Sequence, residues 1–292
     1  PRTPSHLAID SRSTVVYTSL QDSDQLLAVD LSTQAERWKI PVGKMPADVY
    51  LSPDDRRLFV ALTGDRVVEV GAGLGSLTLA LAETGATVLA VEVDRGVVPL
   101  LREIAEPYPN ITVVEADAMA ADWSALLGHE PGWVLVANLP YNVATPLICD
   151  LLDGVPQIDR MLVMVQREAA ERFCAAPRTS QYGAVTVKIS YWATARIAGF
   201  VPASVFVPRP NVESALADIR RLPQPAVDVP AADLFHLVRT GFGQRRKMLR
   251  RSLADVVSPE VFEAAGIDSQ RRPEELDVHE WGRLALAWRA AQ

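Results

Sequence analysis

Cysteine is scarce in this chain: its 292 residues hold only Cys149 and Cys174. Both sit in helix-like contexts without metal-ligand spacing, which argues against a disulfide framework or a zinc site and predicts reduced core thiols in a cytosolic protein. No apolar run reaches membrane-spanning length, and the start lacks a basic-then-apolar leader. These absences predict no membrane partner, no export and a cytoplasmic location. An excess of positive charge is missing too, with Lys+Arg 29 against Asp+Glu 36 and a net charge of -7. That excludes a molecule coated in positive potential, but not a local basic patch of the kind that binds RNA. The chain opens on Pro1 rather than methionine, which reads as a processed or truncated start.

What is present is core-forming material. Hydrophobic residues make up 49%, enough to bury a sizeable core and to exclude global disorder. The length suits two domains, or one α/β domain with an appendage.

Residues 6–62 read as short β segments separated by polar turns, at 7–9, 14–19, 26–30, 37–40, 49–51 and 57–62. The stretch His6-Leu-Ala-Ile-Asp-Ser-Arg-Ser-Thr-Val-Val-Tyr is echoed by Asp48-Val-Tyr-Leu-Ser-Pro-Asp-Asp-Arg-Arg-Leu-Phe at an offset of roughly 42 residues, the span of one four-stranded propeller blade. With Ala28-Val-Asp-Leu, Ile40-Pro-Val-Gly and Leu51-Ser-Pro-Asp-Asp, this region resembles YVTN-type β-propeller repeats over roughly one and a half blades. A ring needs several blades to protect its edges. Residues 1–65 are therefore expected to pack as a small sheet on a neighbouring domain, to pair with another chain, or to be partly mobile. The chain looks like a fusion, with an ordinary β appendage as the plainer alternative. Gly64-Asp65-Arg66-Val67-Val68-Glu69-Val70 reads equally as a blade strand and as the first strand of an α/β domain.

From residue 66 the pattern becomes α/β. A strand at 66–70 runs through Gly71-Ala72-Gly73-Leu74-Gly75 into a helical pattern at 76–83. The glycines let backbone approach a ligand and adopt positive φ. Their spacing is not the dinucleotide G-x-G-x-x-G, which weakens an NAD reading. A second strand, 87–91, ends in Glu92, placed to accept both ribose hydroxyls of a nucleoside. A third, 111–114, ends in Glu115-Ala116-Asp117, with Asp117 expected beside an adenine.

A fourth apolar run, 133–137, closes on Asn138-Leu139-Pro140-Tyr141. An amide acceptor, a carbonyl held stiffly before proline and a flat ring suit methylation of the exocyclic amine of adenine. Its lone pair is delocalised into the ring, and acceptors aimed at its two N–H groups favour the nucleophilic geometry. A strand, a turn and an exposed tyrosine are the plainer reading of the tetrapeptide. Beyond it come a helix at 144–152, a strand at 160–165, a helix at 167–175 and strand-like runs at 184–192 and 215–221.

The motifs Val68-Glu-Val-Gly-Ala-Gly-Leu-Gly-Ser-Leu-Thr, Val91-Glu-Val-Asp, Glu115-Ala-Asp-Ala, Asn138-Leu-Pro-Tyr-Asn and Val165-Gln-Arg-Glu resemble, in order, the ribosomal RNA adenine dimethyltransferase family. So do Tyr182-Gly-Ala, Val205-Phe-Val-Pro-Arg-Pro-Asn-Val-Glu-Ser and Phe242-Gly-Gln-Arg-Arg-Lys-Met-Leu-Arg-Arg-Ser-Leu. Leu139 and the Arg245-Arg246-Lys247 run favour the small-subunit (16S) branch over the antibiotic-resistance 23S branch.

The resemblance implies a Rossmann-like methyltransferase sheet with a small C-terminal α-helical domain and the N-terminal β-rich appendage. It implies S-adenosyl-L-methionine as cofactor and immature 30S subunits, through their small-subunit ribosomal RNA, as partner. Two adjacent adenosines near the 3′ end of that RNA would each receive two methyl groups, and the protein is expected to be a monomer. The catalytic set it implies is Asn138, Leu139, Pro140 and Tyr141. The cofactor set is Glu69, Gly71, Gly73, Gly75, Glu92, Asp117 and Asn138. One departure stands out: the family's aromatic-Gly-Gln-His/Asn-Phe-Leu segment ahead of the first strand is replaced here by the blade-like residues. An RNA-binding or assembly factor without turnover is therefore a second expectation, and a propeller scaffold a third.

The expected domains are residues 1–65, 66–222 and 223–292. Pro223, Pro225 and Pro230 read as a linker, with helix patterns beyond it at 232–240, 246–256, 259–265 and 278–290. Arg245, Arg246, Lys247, Arg250 and Arg251 start one of these helices. A charge run is often only a solvated face, but beside an adenine-methylation motif these residues are expected to contact RNA phosphates.

Overall fold

A computed structural model describes residues 4–42, 46–51, 54–56, 58–62, 65–206 and 210–292. Several sequence features lie outside the described residues: Pro1, Gly43, the Ser52-Pro53 pair and Arg57 of the blade repeats, Gly64 at the junction, and Val207-Pro208-Arg209 of the 205–214 motif. The chain divides into two compact units, Pro1–Asp122 with Gly132–Ala137, and Trp123–Pro131 with Asn138–Gln292.

The first unit begins with β1 (Pro4–Ile9), β2 (Val15–Leu20), β3 (Gln25–Asp30) and β4 (Glu36–Pro41), an antiparallel four-stranded sheet in sequence order. Its turns are built by aspartates: Asp10 accepts the backbone N–H groups of Thr14 and Val15, and Asp30 those of Ser32 and Thr33. Such side-chain bonds satisfy turn N–H groups that no strand partner reaches. Arg37 is a bulge residue on β4, because Ala28 pairs with Trp38 while Val29 pairs with Glu36. A two-stranded ribbon, β5 (Pro46–Leu51) and β6 (Leu58–Leu62), comes next and contacts β1 and β2. All six segments expected from the sequence are strands, arranged as one four-stranded sheet and a ribbon.

The same unit continues with β7 (Arg66–Val70), α1 (Ser76–Glu83), β8 (Thr87–Glu92), α2 (Val98–Ala105), β9 (Ile111–Glu115) and β10 (Trp133–Asn138). β10, β7, β8 and β9 are parallel in that spatial order. Four of five residues in β7 and five of six in β8 are buried, without alternation. That is the signature of parallel strands covered on both faces. Parallel pairing also sends all four carboxyl ends to one edge of the sheet.

The second unit holds α3 (Trp123–Leu127), α4 (Ala144–Gly154), β11 (Ile158–Gln166), α5 (Arg167–Phe173), α6 (Ala184–Trp192), β12 (Ala193–Val201), β13 (Ser214–Arg221), α7 (Ala231–Gly243), α8 (Leu249–Ser252), α9 (Pro259–Ala265) and α10 (Val278–Ala290). β13 pairs antiparallel with β11 on one side and β12 on the other. Within this unit the strand order is therefore β12-β13-β11.

Three sequence expectations need correction. The run 184–192 is helix α6, not a strand, and the strand is the next segment, β12. Val185, Thr186, Val187 and Ile189 favour a pleated surface, but an apolar run shows no decisive period. Burial of Thr186, Val187, Ile189 and Tyr191 in the C-terminal unit outweighs that local preference. The helix expected at 246–256 is only the single turn α8. Its first N–H groups bond elsewhere, Leu249 to the Arg271 carbonyl and Arg250 to that of Ser269, so the helix does not extend back to Arg246. The proline-rich 223–230 stretch is packed rather than loose. Tyr191 donates its hydroxyl to the Val229 carbonyl at 2.8 Å, and Val229 joins the core formed by α6, α7, α9 and α10.

That C-terminal core is centred on Trp281, which is fully buried. α10 is started by Asp277, whose carboxylate accepts the Glu280 N–H while Glu280 accepts that of Asp277. The reciprocal pair satisfies two orphan donors at the helix start.

Candidate functional site

In the first unit, the turn after β7 is shaped by three glycines at positive φ: Gly71 at 75°, Gly73 at 55° and Gly75 at 84°. Only glycine adopts these conformations without strain. A Cβ on Gly75 would also approach Leu101 Cδ1 to 2.9 Å, so the loop rests directly on α2. Above Gly73 there is open space, with no heavy atom within 4 Å of a Cβ built there. The Gly71 N–H is held by the Val91 carbonyl at 2.9 Å, which ties this loop to the end of β8.

Glu92 ends β8 as a buried carboxylate. Its Oε2 accepts the Gly73 N–H at 2.8 Å, and Oε1 accepts those of Val93 and Asp94, both at 2.9 Å. A carboxylate has about four acceptor sites, so these three bonds leave room for one more donor. Accepting both ribose hydroxyls would require one of the backbone N–H groups to let go. Asp117 is exposed past the end of β9, where its Oδ1 accepts the Met119 N–H at 2.9 Å. Val93 and Met119 are 60% and 41% exposed, apolar side chains beside the two acids. Neither was expected at the site from the sequence; a hydrophobic residue one or two places beyond each acidic strand end was the available signal.

Glu69 lies inside β7 and is 2% exposed. The Thr78 hydroxyl of α1 donates to its Oε2 at 2.5 Å. Burial, opposed in part by the Thr78 bond and reinforced by the charge of Glu92, raises this carboxyl to about 7. The glycine cradle, the open space over Gly73 and the buried acid at the next strand end form a donor and acceptor set that fits a nucleoside cofactor. Among the described residues, no His, Cys, Asp or Glu cluster could hold a metal ion.

In the second unit, Asn138 and Pro140 are exposed, Tyr141 is half-buried and Leu139 is 1% exposed. Leu139 is the anchor: its side chain is buried and its N–H donates to the Met164 carbonyl of β11 at 3.1 Å. Pro140 starts α4, its carbonyl accepting the N–H groups of Val143 and Ala144. The Tyr141 hydroxyl lies 2.8 Å from that of Ser214 at the start of β13. These four residues line a cavity of about 320 Å³ together with Phe206 and Pro210. Phe206 and Pro210 belong to a motif quoted above but carried no expected role; their place in this wall arises only in the fold.

The basic residues of the second unit divide into two kinds. Arg245 is half-buried and paired, donating to Glu274 at 2.5 Å and to the carbonyls of Thr179 and Ser180. Arg246, Lys247, Arg250 and Arg251 are exposed around α8, the set that remains available to an external phosphate. Burial pushes the Cys149 thiol up to about 11 and raises that of Cys174 as well, which disfavours the thiolate at both. No helix among the described residues is long and apolar enough to cross a membrane.

The family pattern described as ribosomal RNA adenine dimethylase matches residues 57–288, and that of the YNCE-like beta-propeller matches residues 1–96. Ribosomal RNA small subunit methyltransferase A of Bifidobacterium adolescentis is 41% identical over 267 residues, covering 85% of this chain and 88% of that protein. The protein of the same name from Alkaliphilus oremlandii is 40% identical over 233 residues, 76% of this chain and 81% of its own. Among solved structures, a dimethyladenosine transferase from Plasmodium falciparum superposes with a TM-score of 0.67 at 23% identity, covering 78% of this chain and 91% of that one, a likeness of fold. The 23S rRNA methyltransferase ErmE gives 0.57 at 26% identity, covering 78% of this chain and 92% of its own.

Proposed function

The chain belongs to the ribosomal RNA adenine dimethylase family, and from that premise we propose that it dimethylates N6 of each of two adjacent adenosines near the 3′ end of small-subunit (16S) ribosomal RNA. It is an S-adenosylmethionine-dependent methyltransferase by family. Relatives near 40% identity are small-subunit methyltransferases, which supports that branch over the 23S one. The observation that carries the reading is the parallel run of β7, β8, β9 and β10, whose carboxyl ends bear the glycine loop, Glu92, Asp117 and Asn138.

S-adenosyl-L-methionine, when bound, supplies an electrophilic methyl group. The chain's own residues hold and align. Gly71, Gly73 and Gly75 give the cofactor a backbone cradle, with Glu69 beneath it as a buried acid. Glu92 accepts from the ribose and Asp117 from the adenine. The Asn138 side-chain oxygen and the Leu139 carbonyl accept from the two N–H groups of the target amine, Pro140 fixes the direction of that carbonyl, and Tyr141 stacks on the everted base. No strong base is needed, because the amine proton becomes acidic only after the methyl has arrived. Alignment and fixed acceptors supply most of the acceleration. Arg245, Arg246, Lys247, Arg250 and Arg251 contact phosphates of the immature 30S subunit, and Arg245 also braces the segment through Glu274. The protein acts as a monomer in the cytoplasm.

An RNA-binding factor without turnover is the second reading. It is favoured by the blade strands that stand where the family's cofactor-lining segment belongs. Purified protein, labelled cofactor and immature small subunits should yield dimethyladenosine. Calorimetry separates the readings: cofactor uptake supports the enzyme, and RNA binding without it supports the factor.

A further inference from the structure

On one face of the antiparallel strands of the second unit, three arginines surround one buried carboxylate. Asp218 on β13 has a side chain that is 0% exposed. Arg160 on β11 donates to its Oδ1 at 2.7 Å, Arg196 on β12 to its Oδ2 at 2.7 Å, and Arg220 on β13 to the same oxygen at 3.2 Å. Three guanidinium groups against one carboxylate leave two positive charges uncompensated. Among the described residues none of the three has a second carboxylate in ion-pair reach. Their side chains are 41%, 64% and 57% exposed in that order, so the charge faces solvent. Arg160 engages Asp218 through Nε alone and Arg196 through one terminal nitrogen. Several guanidinium N–H donors therefore remain directed outward in a fixed arrangement.

The register ties this cluster to the tyrosine. Strand side chains alternate between faces, so Ser214, Leu216, Asp218 and Arg220 share one face of β13. Ser214 is the partner of the Tyr141 hydroxyl. Asp218 is four residues from Ser214 and Arg220 six, which at the rise of a strand is roughly 13 and 20 Å. Arg196 and Leu162 are the cross-strand neighbours of Asp218, and Arg160 is that of Arg220. The cluster and the tyrosine contact thus lie on the same face, one strand-length apart.

We infer that Arg160, Arg196 and Arg220, locked around Asp218, form a second phosphate-binding surface that holds the RNA flanking the target adenosines, separate from the basic residues around α8. The inference rests on the proposed RNA-methylating function. Burial of Asp218 gives the cluster its rigidity: desolvation opposes its charge, but the three arginines outweigh it and hold the carboxyl down to about 2. The anchor therefore stays charged across the working pH range. Phosphate contacts position RNA and carry no sequence information. The expected consequence is weaker subunit binding with unaltered chemistry.

The test uses the full chain, immature small subunits for methyl transfer, and an RNA fragment from the 3′ end of small-subunit rRNA for binding against salt. The double variant Arg160→Gln with Arg196→Gln is expected to raise KM roughly tenfold at unchanged kcat and to lower the salt slope by about 1.4, two contacts' worth. Arg196→Lys, which keeps the charge, should restore most of the affinity lost in Arg196→Gln. Arg102→Gln, an exposed arginine on α2, should leave both readouts alone. If wild type methylates subunits while the double variant matches it in KM and salt slope, the inference is overturned and the proposed function survives. A fall in kcat at unchanged KM also overturns it, as the mark of a purely structural cluster. If wild type neither binds nor methylates, inference and function fall together.

Discussion

Replacing Glu69 by glutamine should make the protein more stable at alkaline pH while leaving it nearly unchanged at acid pH. Glu69 is buried in β7, and its carboxyl is raised from 4.5 to about 7. A group with a raised folded-state pKa binds a proton more tightly folded than unfolded. Its contribution is fully present below the unfolded value and is lost as pH rises through the folded one. The difference, at 1.36 kcal/mol per unit, corresponds to about 3 kcal/mol lost between roughly pH 4.5 and pH 7.5. For a chain of this size that is on the order of 6–12 °C in Tm. Glutamine keeps an acceptor for the Thr78 hydroxyl and cannot ionise. Thermal unfolding followed by circular dichroism from pH 5 to pH 8.5 should show the two proteins close at pH 5 and Glu69→Gln several degrees higher at pH 8. Parallel pH curves for the two would refute the reasoning. A cationic ligand seated over the glycine loop would favour the carboxylate, so wild-type affinity for it should rise through pH 7 while that of the variant stays flat.

Gly75→Ala should cost about 2 kcal/mol in urea unfolding. Roughly 1 kcal/mol comes from a left-handed conformation, and the rest from a Cβ 2.9 Å from Leu101 Cδ1; a loss under about 0.5 kcal/mol would contradict this. Gly282→Ala should also destabilise, by about 1–3 kcal/mol, because its Cβ would lie 2.7 Å from Val227 Cγ1. That overpacking outweighs a helix-propensity gain of about 1 kcal/mol, and trimming Val227 to alanine in the same protein should recover part of the loss. Tyr141→Phe keeps the ring but loses the bond to Ser214, so methyl transfer should fall only a few-fold, whereas Tyr141→Ala should lose about a hundredfold. Equal activity of the two would remove the stacking role.

The strand ends were the most legible part of the chain. Val67, Val68 and Val70, and the strand closing on Glu92, are apolar without alternation and stop at glycine or acid, signals that survive in any parallel sheet. The junction was legible as well. The 64–70 stretch fits a blade strand and a methyltransferase strand alike, and the two family matches overlap there. What failed was local preference against tertiary burial. Val185, Thr186, Val187 and Ile189 look like a strand and are a helix, whose Val187 and Tyr191 pack into the C-terminal core. Arg245 meets Glu274, 29 positions away, while staying partly exposed. Phe206 and Pro210 join the Tyr141 cavity, and Arg160, Arg196 and Arg220 meet at Asp218, only through pairing of distant segments. No sequence period reports such meetings.

The most direct measurement is single-turnover methyl transfer to immature small subunits by wild type and by Asn138→Ala, with subunit affinity measured in parallel. An acceptor amide aligned on the target amine predicts dimethyladenosine from wild type and a rate about 10²- to 10³-fold lower from the variant at unchanged subunit affinity. Equal rates from the two proteins, or no methylated adenosine from wild type, would contradict the account.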